Sequence, residues 1–149
     1  MQILLKKSSN KMYPKWHVLF GAIFSLALFL IFPFIGFNVI LVFLASVLID
    51  VDHYWHYLIR KKDISLKNAF NWHKNLPKFH KPVMHIFHTL EFFIVLCFFS
   101  LFFDFLIYIL LGIIFHYLLD IIQLGYEKRI HVREYSLIKY LFSDKSKYL

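Results

Sequence analysis

The residues that could do chemistry in this sequence are its histidines and a few carboxylates. The nine histidines are His17, His53, His56, His73, His80, His85, His88, His116 and His131. Four separate stretches bring imidazoles and acids together: His17; Asp50, Asp52, His53 and His56; His85, His88 and Glu91; and His116 with Asp120. On a helix, His85, His88 and Glu91 follow one another at i, i+3 and share one face. His116 and Asp120 are i, i+4, and Asp50 and His53 are i, i+3 if the helix extends that far. Neutral imidazole and carboxylate without thiolate form a ligand set for zinc, manganese or iron. More than four such groups imply two or more ions, or one ion with an outer shell of partners. Plainer readings stand beside this one. His116 and Asp120 also make sense as a simple His–carboxylate pair. His73 and His131 read as interfacial residues or as hydrogen-bonded to carbonyls, His56 as snorkelling beside Tyr54, Trp55 and Tyr57, and Asp104 as solvated. Cys97 is the only cysteine and lies deep in an apolar run, where a thiolate is costly.

The elements that must position these groups follow from composition. The chain has 149 residues, enough for one domain. It is 60% hydrophobic, 21% aromatic and only 17% charged, with mean hydropathy +0.61. That excludes an ordinary soluble domain, a disordered chain and a disulfide scaffold. Residues 18–49 contain no charge, and residues 84–122 carry only Glu91, Asp104, Asp120 and three histidines. A bilayer core of about 30 Å takes ~20 helical residues, so each stretch is too long for one pass and reads as a hairpin. Pro33 and Gly36 break the first and residues 100–104 the second. The expected fold is all-α and integral to the membrane, a single domain with four spans near 17–32, 37–50, 85–102 and 104–122. Spans this short fit a locally thinned bilayer or little tilt.

Charge gives the orientation. Lys6, Lys7, Lys11 and Lys15 precede the first hairpin; Arg60, Lys61, Lys62, Lys67, Lys74, Lys78 and Lys81 lie between the two; Lys128, Arg129, Arg133, Lys139, Lys145 and Lys147 follow the second. These are all of the chain's 17 basic residues, and neither hairpin tip has one. The positive-inside rule then places both termini and the central loop, residues 57–83, in the cytoplasm of a multi-pass cell-membrane protein. The apolar start at residues 3–5 is too short for a signal-peptide core. The central loop, with Phe70, Trp72, Leu76 and Phe79 among its lysines, and the tail, residues 123–149, read as interfacial helices on anionic lipid or as solvated loops with anchors. Beside membrane spans the basic patches point to lipid and away from nucleic acid. In this topology His17, Asp50–His53, His85–Glu91 and His116–Asp120 all sit at one face. A charge at mid-bilayer costs up to ~2.5–3.5 kcal/mol and less near the interface. A divalent cation among these carboxylates would remove that penalty.

These motifs resemble a family of small multi-pass membrane-bound metal-dependent hydrolases. The family pattern is an early His with Gly four residues on, then Pro-Asp-x-Asp-His, His-Arg-Gly-x-Thr-His-Ser, and a late His-x-x-x-Asp. Here the parts are His17-Val-Leu-Phe-Gly21, Ile49-Asp50-Val51-Asp52-His53 and His116-Tyr-Leu-Leu-Asp120. The third element has two registers, His80 to His85 or His88-Thr89 with Glu91 behind it. Ile49, Lys81 and Pro82 depart from the family's Pro, Arg and Gly. The resemblance implies a metal set drawn from His17, Asp50, Asp52, His53, His80, His85, His88, His116 and Asp120. It is similar to the ligand set of zinc-dependent phospholipase C, which implies a phosphate ester, such as a lipid, as substrate. The departure at Lys81 leaves no arginine at the family's substrate-handling position, though a lysine holds phosphate as a point charge.

Three functions are compatible with these residues. In a hydrolase, bound zinc, manganese or iron polarises a phosphoryl or acyl oxygen and acidifies water, with Glu91 or Asp52 as general base. A membrane di-iron oxidase also gathers histidines at hairpin ends, but His53-x-x-His56 and His85-x-x-His88 lack that class's paired histidines. A non-enzymatic metal-binding protein or scaffold is the third.

Overall fold

The computed structural model describes residues 14–77 and 80–148. Residues 3–5, Lys6, Lys7, Lys11, Lys78 and Phe79 lie outside them. The described chain is predominantly helical: α1 (Pro14–Ile31), α2 (Val39–Leu48), α3 (Val51–Lys61), α4 (Leu66–Asn75), α5 (Leu90–Ser100), α6 (Phe105–Tyr126) and α7 (Leu137–Phe142). Two helical runs are long and apolar enough to cross a membrane, Pro33–Lys61 and Phe105–Tyr126. α1 and α5 are apolar but shorter, so two of the four expected spans meet the length criterion. α2 lies at the centre, packed on α1 and α6, and α5 packs on the outer side of α6.

The two hairpins turn differently. Pro33 removes a backbone donor and opens a 3-10 turn over Pro33–Asn38, and Gly36 takes φ +56°, a conformation that suits a residue without Cβ. The second hairpin reverses over residues 101–104.

Close approach of α2 and α6 depends on Gly112. A Cβ there would overlap the Val42 carbonyl oxygen and lie 2.9 Å from the Ala45 Cβ. On a neighbouring face of α2, Gly21 of α1 meets the Ser46 side chain. The small residues let three backbones meet around Val42 and Ser46, which are 0% and 2% exposed.

The segment before α5 departs from the expected helix at 85–102. Residues 80–89 are not α-helical. Pro82 lacks an N–H, and Val83–Met84 (β1) pairs in parallel with Arg133–Glu134 (β2), Val83 opposite Arg133. This is the only sheet among the described residues, and it adds a strand pair to the expected all-α architecture. A 3-10 turn, Ile86–His88, follows, held by the Tyr117 hydroxyl donating to the Phe87 carbonyl. Thr89 caps α5 by accepting from the Phe92 amide at 3.3 Å.

Polarity is inverted relative to a soluble bundle. His88, Thr89 and His116 are buried, whereas Leu30, Phe34, Phe37 and Leu101 are 68%, 83%, 90% and 78% exposed.

The α3–α4 turn is organised by Asp63. It accepts from the Tyr57 hydroxyl at 2.5 Å, the Asn68 amide side chain at 2.9 Å and the Ser65 backbone N–H at 2.9 Å. Those bonds, Tyr57's foremost, hold its carboxyl below the usual range. A group depressed on folding stabilises above its unfolded pKa and loses that contribution as pH falls through the folded value. Asp63→Asn is therefore expected to melt below the native protein at neutral pH. The gap should close as acid protonates native Asp63, as thermal melts from pH 7 down to pH 3 would show.

Candidate metal centre

Four elements deliver the site. α1 supplies His17, the α2–α3 junction supplies Asp50, Asp52 and His53, the turn before α5 supplies His85 and His88, and α6 supplies His116 and Asp120. The i, i+4 spacing on α6 puts His116 Nε2 3.4 Å from Asp120 Oδ2. It also lies 3.4 Å from Asp50 Oδ1 and 3.3 Å from His88 Nε2. His88 Nε2 is 3.6 Å from Asp120 Oδ2 and 3.8 Å from Asp50 Oδ1. His17 stacks on His116 with centroids 4.3 Å apart, its Nε2 3.5 Å from Asp120 Oδ1.

The outer nitrogens fix the tautomers. His116 Nδ1 is 2.8 Å from the Ser46 carbonyl oxygen, which can only accept, so Nδ1 carries the proton. His88 Nδ1 donates to Asp52 Oδ2 at 2.9 Å. Both neutral rings therefore present an unprotonated Nε2 to the other. Two lone pairs at 3.3 Å repel unless one ring takes a second proton or a cation lies between them. In a tetrahedral zinc site with ~2.0–2.1 Å bonds, ligand atoms stand about 3.3–3.4 Å apart. The two imidazole Nε2 atoms stand 3.3 Å apart and lie 3.4–3.8 Å from the Asp50 and Asp120 oxygens. Histidine ligands held from behind by carboxylate or carbonyl are the usual arrangement at metal sites.

A second group adjoins the first. Asp52 Oδ1 and His85 Nδ1 are buried, lack hydrogen-bond partners and face each other at 3.8 Å. The His53 ring lies on His85 at 3.8 Å, and His53 Nε2 is 3.4 Å from Asp50 Oδ1. Asp52, His53 and His85 together have the spacing of a cation site.

Not every sequence candidate is in the cluster. His80 lines the adjoining cavity but bonds the Lys81 carbonyl oxygen at 2.6 Å and belongs to no ligand group. The Glu91 carboxylate accepts from Ser136 Oγ at 2.7 Å and from the Leu137 and Ile138 amides at 2.9 and 3.1 Å, so it caps α7 and holds the tail. Asp52 Oδ2 is engaged by His88 and by the Phe87 amide at 3.0 Å. Lys81 reaches the Ser146 carbonyl at 2.7 Å. His73 donates to the His53 carbonyl at 2.9 Å.

Arg133 is the participant that sequence reasoning misses. Its Nη1 is 2.5 Å from Asp120 Oδ2, and its side chain is 11% exposed. The faint signal for it is the run Ile130–Tyr135, whose composition suits a strand better than the expected interfacial helix.

A cavity of about 380 Å³ opens beside the cluster, with His17, Asp50, His53, His85, Asp120 and Arg133 in its wall. Apolar side chains from α4 and Leu76 form the far side. The cluster holds three carboxylates and one guanidinium. With neutral imidazoles it lacks two positive charges, the charge of one divalent cation.

No protein-family model matches the chain, and comparison with curated proteins and with solved structures finds no match.

Proposed function

We propose that this chain is a membrane-embedded, metal-dependent hydrolase of phosphate esters. Its ion is held by His17, His88, His116, Asp50 and Asp120, and a second ion, if taken up, by Asp52, His53 and His85. The observation that carries this reading is the His88–His116 contact: two buried Nε2 atoms 3.3 Å apart, each within 3.4–3.8 Å of Asp50 and Asp120 oxygens, with both opposite ring nitrogens already donating. Zinc suits the donor set best, with manganese and iron as alternatives. Such an ion supplies Lewis acidity and acidifies a coordinated water toward ~7. The chain's own contribution is orientation: Ser46 and Asp52 aim the two imidazoles, and Asp50 and Asp120 present carboxylate at the cavity wall.

The membrane reading belongs to the same proposal. α1, the Pro33–Lys61 run, α5 and α6 form two hairpins whose outer surfaces are phenylalanine and leucine and whose inner ends are polar. By the positive-inside rule, the basic residues support an orientation with the open end of the cavity and both termini at the cytoplasmic face. Substrate then arrives from the lipid headgroup layer or from the cytoplasm beside it.

Elemental analysis of protein purified in mild detergent tests the reading. At least one equivalent of divalent metal is expected, removed by a chelator together with p-nitrophenyl phosphate hydrolysis and restored with it. Folded protein without metal would mean that His88 and His116 share a proton as a structural pair, and the hydrolase reading would fall. Iron with oxygen consumption would indicate the oxidase.

A further inference from the structure

Resting on the hydrolase reading, we propose that Arg133 is the phosphate-recognising residue of the site. Lys81, the nearest cation before His85 in sequence, is turned to the tail. The fold brings one from elsewhere. Parallel pairing of β2 with β1 sets Arg133 opposite Val83, two residues before His85. Glu91 then anchors the chain just beyond β2, through Ser136, Leu137 and Ile138. The guanidinium is thus held by both sides of its own backbone. It lies one carboxylate oxygen from the imidazole pair, because Asp120 Oδ2 contacts Arg133 Nη1 at 2.5 Å, His116 Nε2 at 3.4 Å and His88 Nε2 at 3.6 Å.

This placement suits an anion. The Asp120 bond uses one of five guanidinium donors, and Arg133 is among the residues lining the cavity. Asp120 cannot give its full charge to both a cation and Arg133, so a bound ion would loosen its hold on the guanidinium. A phosphoryl group entering beside the ion meets a planar fork matched to its oxygens. The same cavity wall carries Leu66, Phe70 and Leu76, which fit an apolar substituent on that phosphate. The ligand chemistry is a phosphate with an apolar arm; its source is a lipid headgroup or a soluble phosphate ester.

The test uses full-length protein loaded with cobalt(II), whose visible bands report ligands at the ion. Inorganic phosphate is titrated into native, Arg133→Ala and Arg133→Lys proteins, and metal content is measured on each. Phosphate affinity is expected to fall roughly ten- to hundredfold in Arg133→Ala and to be only partly retained in Arg133→Lys, which keeps the charge but loses the fork. A second arm reconstitutes the cobalt-loaded proteins in phosphatidylcholine vesicles with and without phosphatidic acid and reads the same cobalt bands. Arg133-dependent binding of phosphatidic acid alone identifies a lipid source, of inorganic phosphate alone a soluble one, and either supports the assignment. An ion pair serving structure only would lower melting temperature or metal affinity while leaving phosphate affinity of the loaded protein unchanged. Unchanged affinity in metal-loaded Arg133→Ala and Arg133→Lys, in both arms, overturns the Arg133 assignment and leaves the metal reading intact. Failure of native protein to take up metal overturns both. If Arg133→Ala does not fold, Arg133→Lys carries the test.

Discussion

His116→Ala protein is expected to come through purification folded and without tightly bound divalent metal. His116 is fully buried, and its Nε2 is the one atom within 3.4 Å of His88, Asp50 and Asp120 at once. Removing it takes a donor from two of the four candidate ligand groups. Metal content should drop from at least one equivalent to near zero, and phosphate-ester turnover should vanish with it. Asp52→Asn gives the graded comparison. An asparagine oxygen can still accept from His88 Nδ1, so the ring stays aimed, but the charge behind it is gone. Loss of such an outer partner typically costs 10–100-fold in metal affinity, and the His116 effect should exceed that. Competition against a chromophoric chelator measures both. Full metal retention by folded His116→Ala would remove His116 from the site.

Gly112→Val is expected to prevent the helices from assembling. Overpacking a core usually costs ~1–3 kcal/mol because side chains shift to accommodate it. Here the obstacle is the backbone carbonyl of Val42, with Ala45 behind it, and a helix backbone cannot rotate out of the way. The cost should exceed that range, with aggregation in mild detergent or loss of a cooperative melt. Gly112 is one turn before His116, so any molecules that do fold hold α2 and α6 apart and stretch the His116–Ser46 bond. Gly125→Ala is the control: its Cβ would meet nothing within 4 Å. That change should be neutral or stabilise α6 by up to ~0.5–1 kcal/mol. Size-exclusion profiles and circular-dichroism melts of the two variants decide the matter.

What the sequence revealed of this site was the part written in helical periodicity. His116 and Asp120 share a face because i, i+4 residues must, and the apolar runs bring Asp50 and His88 to the same level. Backbone chemistry has no such signature. The Ser46 carbonyl that orients His116 is an acceptor every residue has, and only the close packing at Gly112 and Gly21 selects it. The turn before α5 was equally hidden. Its apolar residues suit a helix, and it is a tertiary pairing, with β2 fifty positions further on, that unwinds it. For the same reason Glu91, on the expected face with His85 and His88, serves the tail. Long-range contacts also account for Arg133, which enters the cluster by strand pairing and not by proximity in sequence.

That strand pairing sets an order of events at the ribosome. Chains are made from the N-terminus, so His17, the Asp50–His53 segment, His85, His88, His116 and Asp120 all emerge before Arg133. For that interval the three carboxylates face no guanidinium of their own chain. In that interval the centre carries its three carboxylates without the guanidinium that contacts Asp120, and it is at its most negative. When β2 pairs with β1 and Glu91 takes hold of α7, the segment after α6 completes the cavity wall with Arg129, Val132 and Arg133. Closure of the cavity is thus tied to docking of the tail, with the guanidinium the last of the centre's charges to be synthesised.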